Sequence, residues 1–170
     1  RRHTRYWRDW SSDVCFPIFV GLVTVTAGAT TISDVSDLKV SLTTGATKLA
    51  TGGVLSVSGV VSGALTVSST GLISQFGALQ VTGATTLGGS SVTLANPANE
   101  FVGLVTVTAG ATTISDVSDL KVSLTTGETK LTTGGALSVS GVVSGALTAW
   151  STGAISQFGA LQVTGATALN

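Results

Sequence analysis

The 170-residue chain reads as an all-β protein wound into a parallel β-solenoid, and three observations carry that reading. Residues 19–88 return as residues 101–170 with 62 of 70 positions identical, an 82-residue period. Self-similarity at a fixed period marks stacked repeat architectures. Within each unit, short runs alternate aliphatic with Ser, Thr, Lys or Gln, the period-two signature of a half-buried strand. Bulk is scarce: aromatics make up 5% of the chain and charged residues 9%, whereas Gly, Ser and Thr supply 71 of 170 positions. Small aliphatic side chains on short strands suit the inside of a narrow prism.

Taken in order, residues 1–18 stand apart from the rest. RRHTRYWRDWSSDVCFPI holds four of the eight basic residues, the only His, the only Tyr, the only Cys and two of the three Trp. Across RRHTRY and DWSSDVC it resembles sequencing-adapter DNA translated at the end of an assembled metagenomic fragment. It is therefore set aside as a non-native, disordered leader before the fold is considered. The competing reading is a basic, aromatic arm for nucleic acid or membrane, with Arg1, Arg2, Arg5 and Arg8 beside Trp7 and Trp10. Cys15 is the single cysteine, so no internal disulfide forms. The chain starts at Arg1 and contains no methionine, and the expectation is a piece of a longer array without caps at its ends.

From residue 19 onward a strand core recurs as Val23-Thr24-Val25, Leu38-Lys39-Val40-Ser41-Leu42, Leu55-Ser56-Val57, Leu65-Thr66-Val67, Leu79-Gln80-Val81 and Val92-Thr93-Leu94. Gly28, Gly45, Gly59 and Gly83 follow several of these cores, where a turn needs a residue free of a Cβ. No stretch shows sustained helical spacing, and β-branched, Gly-punctuated sequence opposes helices. Residues 19–100 form the first unit and residues 101–170 a second, shorter one. Four coils per 82-residue unit would mean about 20 residues per coil, and about 150 residues would give a rod of roughly 35 Å. The alternative is a tandem array of immunoglobulin-like β-sandwiches. Such domains need bulky inward aromatics, and residues 19–100 contain only Phe19 and Phe76.

Composition also excludes function classes. A formal net charge of zero and the absence of a basic face argue against nucleic acid as a partner. The 43% hydrophobic content argues against intrinsic disorder. No run approaches the ~18 apolar residues of a membrane helix.

Chemistry-bearing candidates are few. Asp34 and Asp37 with Lys39, repeated as Asp116, Asp119 and Lys121, are the clearest charged cluster. Carboxylates three apart suit calcium, which takes six to eight oxygen ligands, or the acid/base pair of a glycosidase or polysaccharide lyase. A solvated turn, in which Asp oxygens accept nearby amides, explains them better. Thr24-Val-Thr26 and Thr106-Val-Thr108 resemble the threonine pairs of ice-binding solenoids, but the pair returns only with the next copy of the unit. Gly52-Gly53 and Gly88-Gly89 lack the Lys of a phosphate loop and read as turns. Asn96 and Asn99 around Pro97 read as a turn between coils, and Trp150, aligned with Ser68, is unique to the second copy. The serines have no His beyond the leader to act as base. The expectation is a non-enzyme with no catalytic residue, no cofactor and no metal.

The stretch Leu94-Ala-Asn-Pro-Ala-Asn-Glu-Phe101-Val-Gly-Leu-Val-Thr-Val107, then Ala109-Gly-Ala-Thr-Thr-Ile-Ser-Asp116 and Gly159-Ala-Leu-Gln-Val-Thr-Gly165, resembles the repeats of filamentous-haemagglutinin-type exoproteins. Large autotransporter adhesins of Gram-negative bacteria carry similar runs. The resemblance covers residues 19–170. It implies a right-handed parallel β-helix, passage through an outer-membrane β-barrel partner, and a place at the bacterial cell surface as a stalk. Host-surface or glycan ligands would then be met through flanking domains, or through one face of the solenoid itself.

Overall fold

In the computed structural model, residues 13–15 and 20–170 are described. The strands follow one another as β1 (Asp13–Cys15), β2 (Leu22–Ala27), β3 (Thr30–Asp34), β4 (Leu38–Thr44), β5 (Thr47–Thr51), β6 (Leu55–Val61), β7 (Leu65–Ser69), β8 (Leu72–Val81), β9 (Thr85–Gly88) and β10 (Ser91–Leu94). The remainder are β11 (Glu100–Phe101), β12 (Val105–Thr108), β13 (Thr112–Asp116), β14 (Leu120–Thr126), β15 (Thr129–Thr133), β16 (Leu137–Val143), β17 (Leu147–Ser151), β18 (Ile155–Val163) and β19 (Thr167–Leu169). Among the described residues there is no helix.

Successive strands alternate between two long sheets. One runs β1-β3-β5-β7-β9-β12-β14-β16-β18 and the other β19-β17-β15-β13-β10-β8-β6-β4-β2, with β11 added beside β8. Every strand pairing among the described residues is parallel. Each coil thus gives one strand to each sheet, and the chain is a β-solenoid rather than a string of antiparallel sandwiches. Eight spacings of about 4.8 Å across the nine-stranded sheet make a rod about 38 Å long.

The alternation read from sequence decides which side chains enter the core. In β4, Leu38, Val40 and Leu42 point inward and are at most 1% exposed, whereas Lys39 and Thr43 face solvent. Leu38 stacks on Leu55 and Val40 on Val57 in the next coil. One continuous aliphatic cluster runs from Ile32 to Ala149, and it crosses the boundary between units without a break. Burying each such Leu or Val contributes about 1.5–3 kcal/mol before the entropy of ordering is set against it.

Most coils are shorter than the four-per-unit division implies. Leu38 meets Leu55, and Leu55 in turn meets Ile73. The corner bonds have the same reach: Asp37 to Val54 spans a sequence separation of 17, and Ser62 to Thr44 a separation of 18. The coil that carries Thr85 to Val105 is longer. The unit contributes nine strands to the alternation, β2 through β10, and therefore winds four and a half coils rather than four. The odd half has a consequence: β4 lies in the ten-stranded sheet and its duplicate β14 in the nine-stranded one. Equivalent residues of the two copies sit on opposite faces of the rod.

Strands β3, β5 and β9 lie between the recognised cores, because threonine occupies inward positions there. Thr47, Thr51 and Thr85 are buried beside single aliphatics such as Leu49 and Leu87. The Thr44 and Thr47 hydroxyls bond each other at 2.6 Å across a corner, as do Thr126 and Thr129 at 2.7 Å. Thr85 and Thr112 instead hold buried hydroxyls with no partner. A lost hydrogen bond of this kind costs about 1–3 kcal/mol.

Of the leader, Asp13–Cys15 pairs in parallel with Thr31–Ser33. The rest of residues 1–18, and with it the adapter-like or basic-arm reading, lies outside the described residues.

Gly59 is the tightest backbone position. Its φ is +114, and a Cβ there would fall on the Leu42 carbonyl oxygen of the coil below. Opposite it, Val57 pairs with Gln75 but Gly59 with Leu79, so Phe76, Gly77 and Ala78 bulge out of β8 against Ser58 alone. Gly141, φ +110, repeats this arrangement against Leu124. Gly59→Ala should therefore destabilise the rod by more than about 1 kcal/mol. Thermal melts of the single variant would show a lowered midpoint, and an unchanged midpoint would contradict the close approach.

Candidate functional site

The Asp-x-x-Asp corners are the most polar feature of the core wall, and the coil geometry separates their two carboxylates by task. Asp34 ends β3 and Asp116 ends β13, both buried at 5% and 3% exposure. Asp34 Oδ1 accepts the Ser36 amide at 2.8 Å and the Ser36 hydroxyl at 2.9 Å. Asp116 Oδ1 accepts the Ser118 amide at 2.7 Å, and its Oδ2 accepts the Phe101 amide at 2.8 Å. Asp37 and Asp119 reach the next coil instead, where they accept the Val54 and Ala136 amides at 2.7 Å. A Cβ on Gly53 or Gly135 would overlap those Asp37 and Asp119 oxygens, which explains the second glycine of each Gly-Gly pair. Thr51 and Thr133 hydroxyls close the same corners on the carbonyls of Ser36 and Ser118.

Asp34 and Asp116 thus accept the amide two residues on, as an Asx-type turn requires, but from buried positions rather than the expected solvated ones, whereas Asp37 and Asp119 tie one coil to the next. Among the described residues, no group of three or more His, Cys, Asp or Glu side chains converges. Lys39 and Lys121 do not join the aspartates. Each ammonium lies 4.6 Å from an aromatic centroid, Lys39 over Phe76 and Lys121 over Phe158, a cation–π pair made across two strand spacings. By the half-coil displacement, the two pairs occupy opposite faces.

Threonine is distributed more regularly than its sequence spacing implies. Thr66, Thr86 and Thr106 follow one another outward on β7, β9 and β12, with Ser123 next and Lys48 before. The second column, Ser68, Gly88, Thr108 and Thr125, is broken by its glycine. Thr24 and Thr26 stand outward in the other sheet beside Ser41 and Thr43. Trp150 is half exposed on β17 next to Thr132, while its counterpart Ser68 lies on the opposite sheet.

One polar constellation escaped the sequence reading. Asn96 shapes the expected turn, its Oδ1 accepting the Ala98 amide at 2.9 Å. Asn99, however, is completely buried. Its amide pairs with that of Gln75 through two hydrogen bonds of 2.9 Å. Asn99 Oδ1 also accepts the Leu79 amide, and its Nδ2 donates to the Leu94 carbonyl. The pair satisfies backbone groups freed by the bulge in β8. No sequence period points to it, because Asn99 and Gln75 meet only once the coil length is known.

Burial pushes the Asp116 carboxyl above its ordinary 3.8, with like charge from Glu100 adding to the rise and the Ser118 and Phe101 hydrogen bonds opposing it. A raised folded value means that ionisation is the costlier state in the fold. This contribution to stability is fully present below pH 3.8 and is lost as pH climbs through the folded value. Carbon-detected NMR titration should place the Asp116 midpoint above 3.8, and Asp116→Asn should remove that portion of the stability–pH curve. A midpoint at or below 3.8 would contradict the burial argument.

No curated protein and no solved structure matches the chain. Residues 44–108 and 126–170 match a family described as repeats of unknown function (DUF5649). The matched stretches fall in both copies of the duplicated unit and together take in more than half of the sequence. The chain belongs to this family of repeats.

Proposed function

We propose that this solenoid is a structural stalk: a non-catalytic spacer within a large, secreted, surface-displayed bacterial adhesin of the filamentous-haemagglutinin or autotransporter kind. The observation that carries the reading is the uninterrupted aliphatic column through both copies of the unit. Core contacts pass between neighbouring coils, so units add length without a new core. The charged side chains support the same role, since Asp34, Asp37, Asp116 and Asp119 are taken up by turn amides. Transport through an outer-membrane β-barrel and display at the cell surface belong to this proposal, resting on the resemblance of residues 94–116 and 159–165. A second reading, glycan or host-protein binding by one face, draws on Trp150, an indole half exposed beside Thr132.

Length is what a spacer delivers, so length is the measurement. Inserting one further copy of residues 19–100 should lengthen the particle by four and a half coils, about 22 Å at ~4.8 Å per coil, in small-angle scattering. A fused tip on a bacterial surface should move outward by the same amount. An unchanged length, or separate melting of the added unit, would overturn the stalk. Glycan-array binding that disappears in Trp150→Ser would favour the second reading instead.

A further inference from the structure

The second copy departs from the first at eight positions, and the fold brings two of the departures together. Ala50 and Ser68 are axial neighbours on β5 and β7, and their replacements Thr132 and Trp150 are axial neighbours on β15 and β17. Thr132 and Trp150 face outward, since the residues before them, Leu131 and Ala149, are buried in the core. Neither strand is an edge of its sheet: β15 lies between β13 and β17, and β17 between β15 and β19. Two changes far apart in the chain therefore alter one spot on the ten-stranded face. One adds a hydroxyl and the other an indole where the first copy is small.

The wall around Trp150 is flat and hydroxylated. Lys130 and Thr148 form the next ladder pair on the same two strands, and both are exposed. Diagonal neighbours of this kind lie within reach of long and aromatic side chains. Glu128 is exposed at the corner leading into β15, so the patch holds one cation and one anion. An indole presents an apolar face with a polar N–H at its rim. The Thr132 and Thr148 hydroxyls both donate and accept, the Lys130 ammonium donates and the Glu128 carboxylate accepts. A pyranose ring with equatorial hydroxyl groups is the complement: C–H groups on its flat faces, and groups that donate and accept round its rim. An anionic chain would gain Lys130 but meet Glu128.

We propose that this face of the second copy binds a neutral polysaccharide of such rings, one ring stacked on Trp150 and the chain lying flat along β15 toward Glu128. The path from Thr132 back to Glu128 is about 13 Å at the strand rise. The site rests on the second reading above, binding by one face of the rod, and leaves the stalk role intact.

Cellohexaose, an uncharged β-linked hexasaccharide, is the probe, with a galacturonate hexamer as the anionic comparison, both titrated into the full chain by calorimetry. The parent should bind one cellohexaose and bind the galacturonate more weakly. Trp150→Ser restores the first copy's residue and should weaken cellohexaose at least tenfold, as loss of a Trp anchor does, with an unchanged circular dichroism spectrum. The first copy already holds Lys48 and Thr66 at the equivalent places. Ala46→Glu, Ala50→Thr and Ser68→Trp together should therefore build a second site on the opposite face and raise the stoichiometry to two. A parent chain that does not bind cellohexaose, unchanged binding in Trp150→Ser, or a transplanted chain that still binds one would overturn the proposal. Equal or tighter binding of the galacturonate hexamer through Trp150 would overturn the neutral class while leaving the second reading standing.

Discussion

Everything in this molecule depends on coils closing so that the next strand lands one spacing further along with its inward side chains in register. Leu38 on Leu55 and Val40 on Val57 illustrate the constraint. The parallel ladder fixes the axial step, and the aliphatic column then fills a prism too thin for aromatic cores. Phe101 is the large exception, fully buried where β11 extends the sheet beside β8. Because the core of each layer packs on its neighbours, duplication of the whole unit leaves the core continuous even though it rotates the copy by half a coil.

The corners carry the polar chemistry. Aspartate oxygens accept amides at several changes of direction, threonine hydroxyls there bond one another or donate to carbonyls, and glycine stands where a Cβ would strike the coil below. Buried polar groups of this kind are tolerated because nearly all are hydrogen-bonded. The Gln75–Asn99 pair is the extreme case, since it compensates the bulge of Phe76, Gly77 and Ala78 in β8. The same devices that look like candidate sites in the one-dimensional chain are here structural fasteners, which accords with a proposed spacer role.

Among the described residues, the outward surface includes the threonine and serine columns, the Lys39–Phe76 and Lys121–Phe158 pairs, and Trp150. The half-coil displacement distributes the duplicated features over two faces, so the copies do not concentrate a single epitope on one side. A spacer tolerates that arrangement.

All-β class, inward and outward faces and stacked coils were legible in the bare chain, because period-two alternation is a local property; Gly59, which reads as a turn, instead sits inside β6, where a Cβ would meet Leu42 of the coil below. The local turn bonds of Asp34, Asp116 and Asn96 were legible for the same reason, since each accepts the amide two residues on; that Asp34 and Asp116 are buried rather than solvated, and that Asp37 and Asp119 bond amides 17 residues away, was not. The threonine-rich strands β3, β5 and β9 were not, since inward threonine mimics a polar surface residue until its burial is seen. Coil length, the odd half-coil, the Gln75–Asn99 amide pair and the reach of Lys39 to Phe76 all required the fold. Each depends on which distant residues become axial neighbours, and that is decided by loop and bulge lengths summed around a whole coil rather than by any single segment.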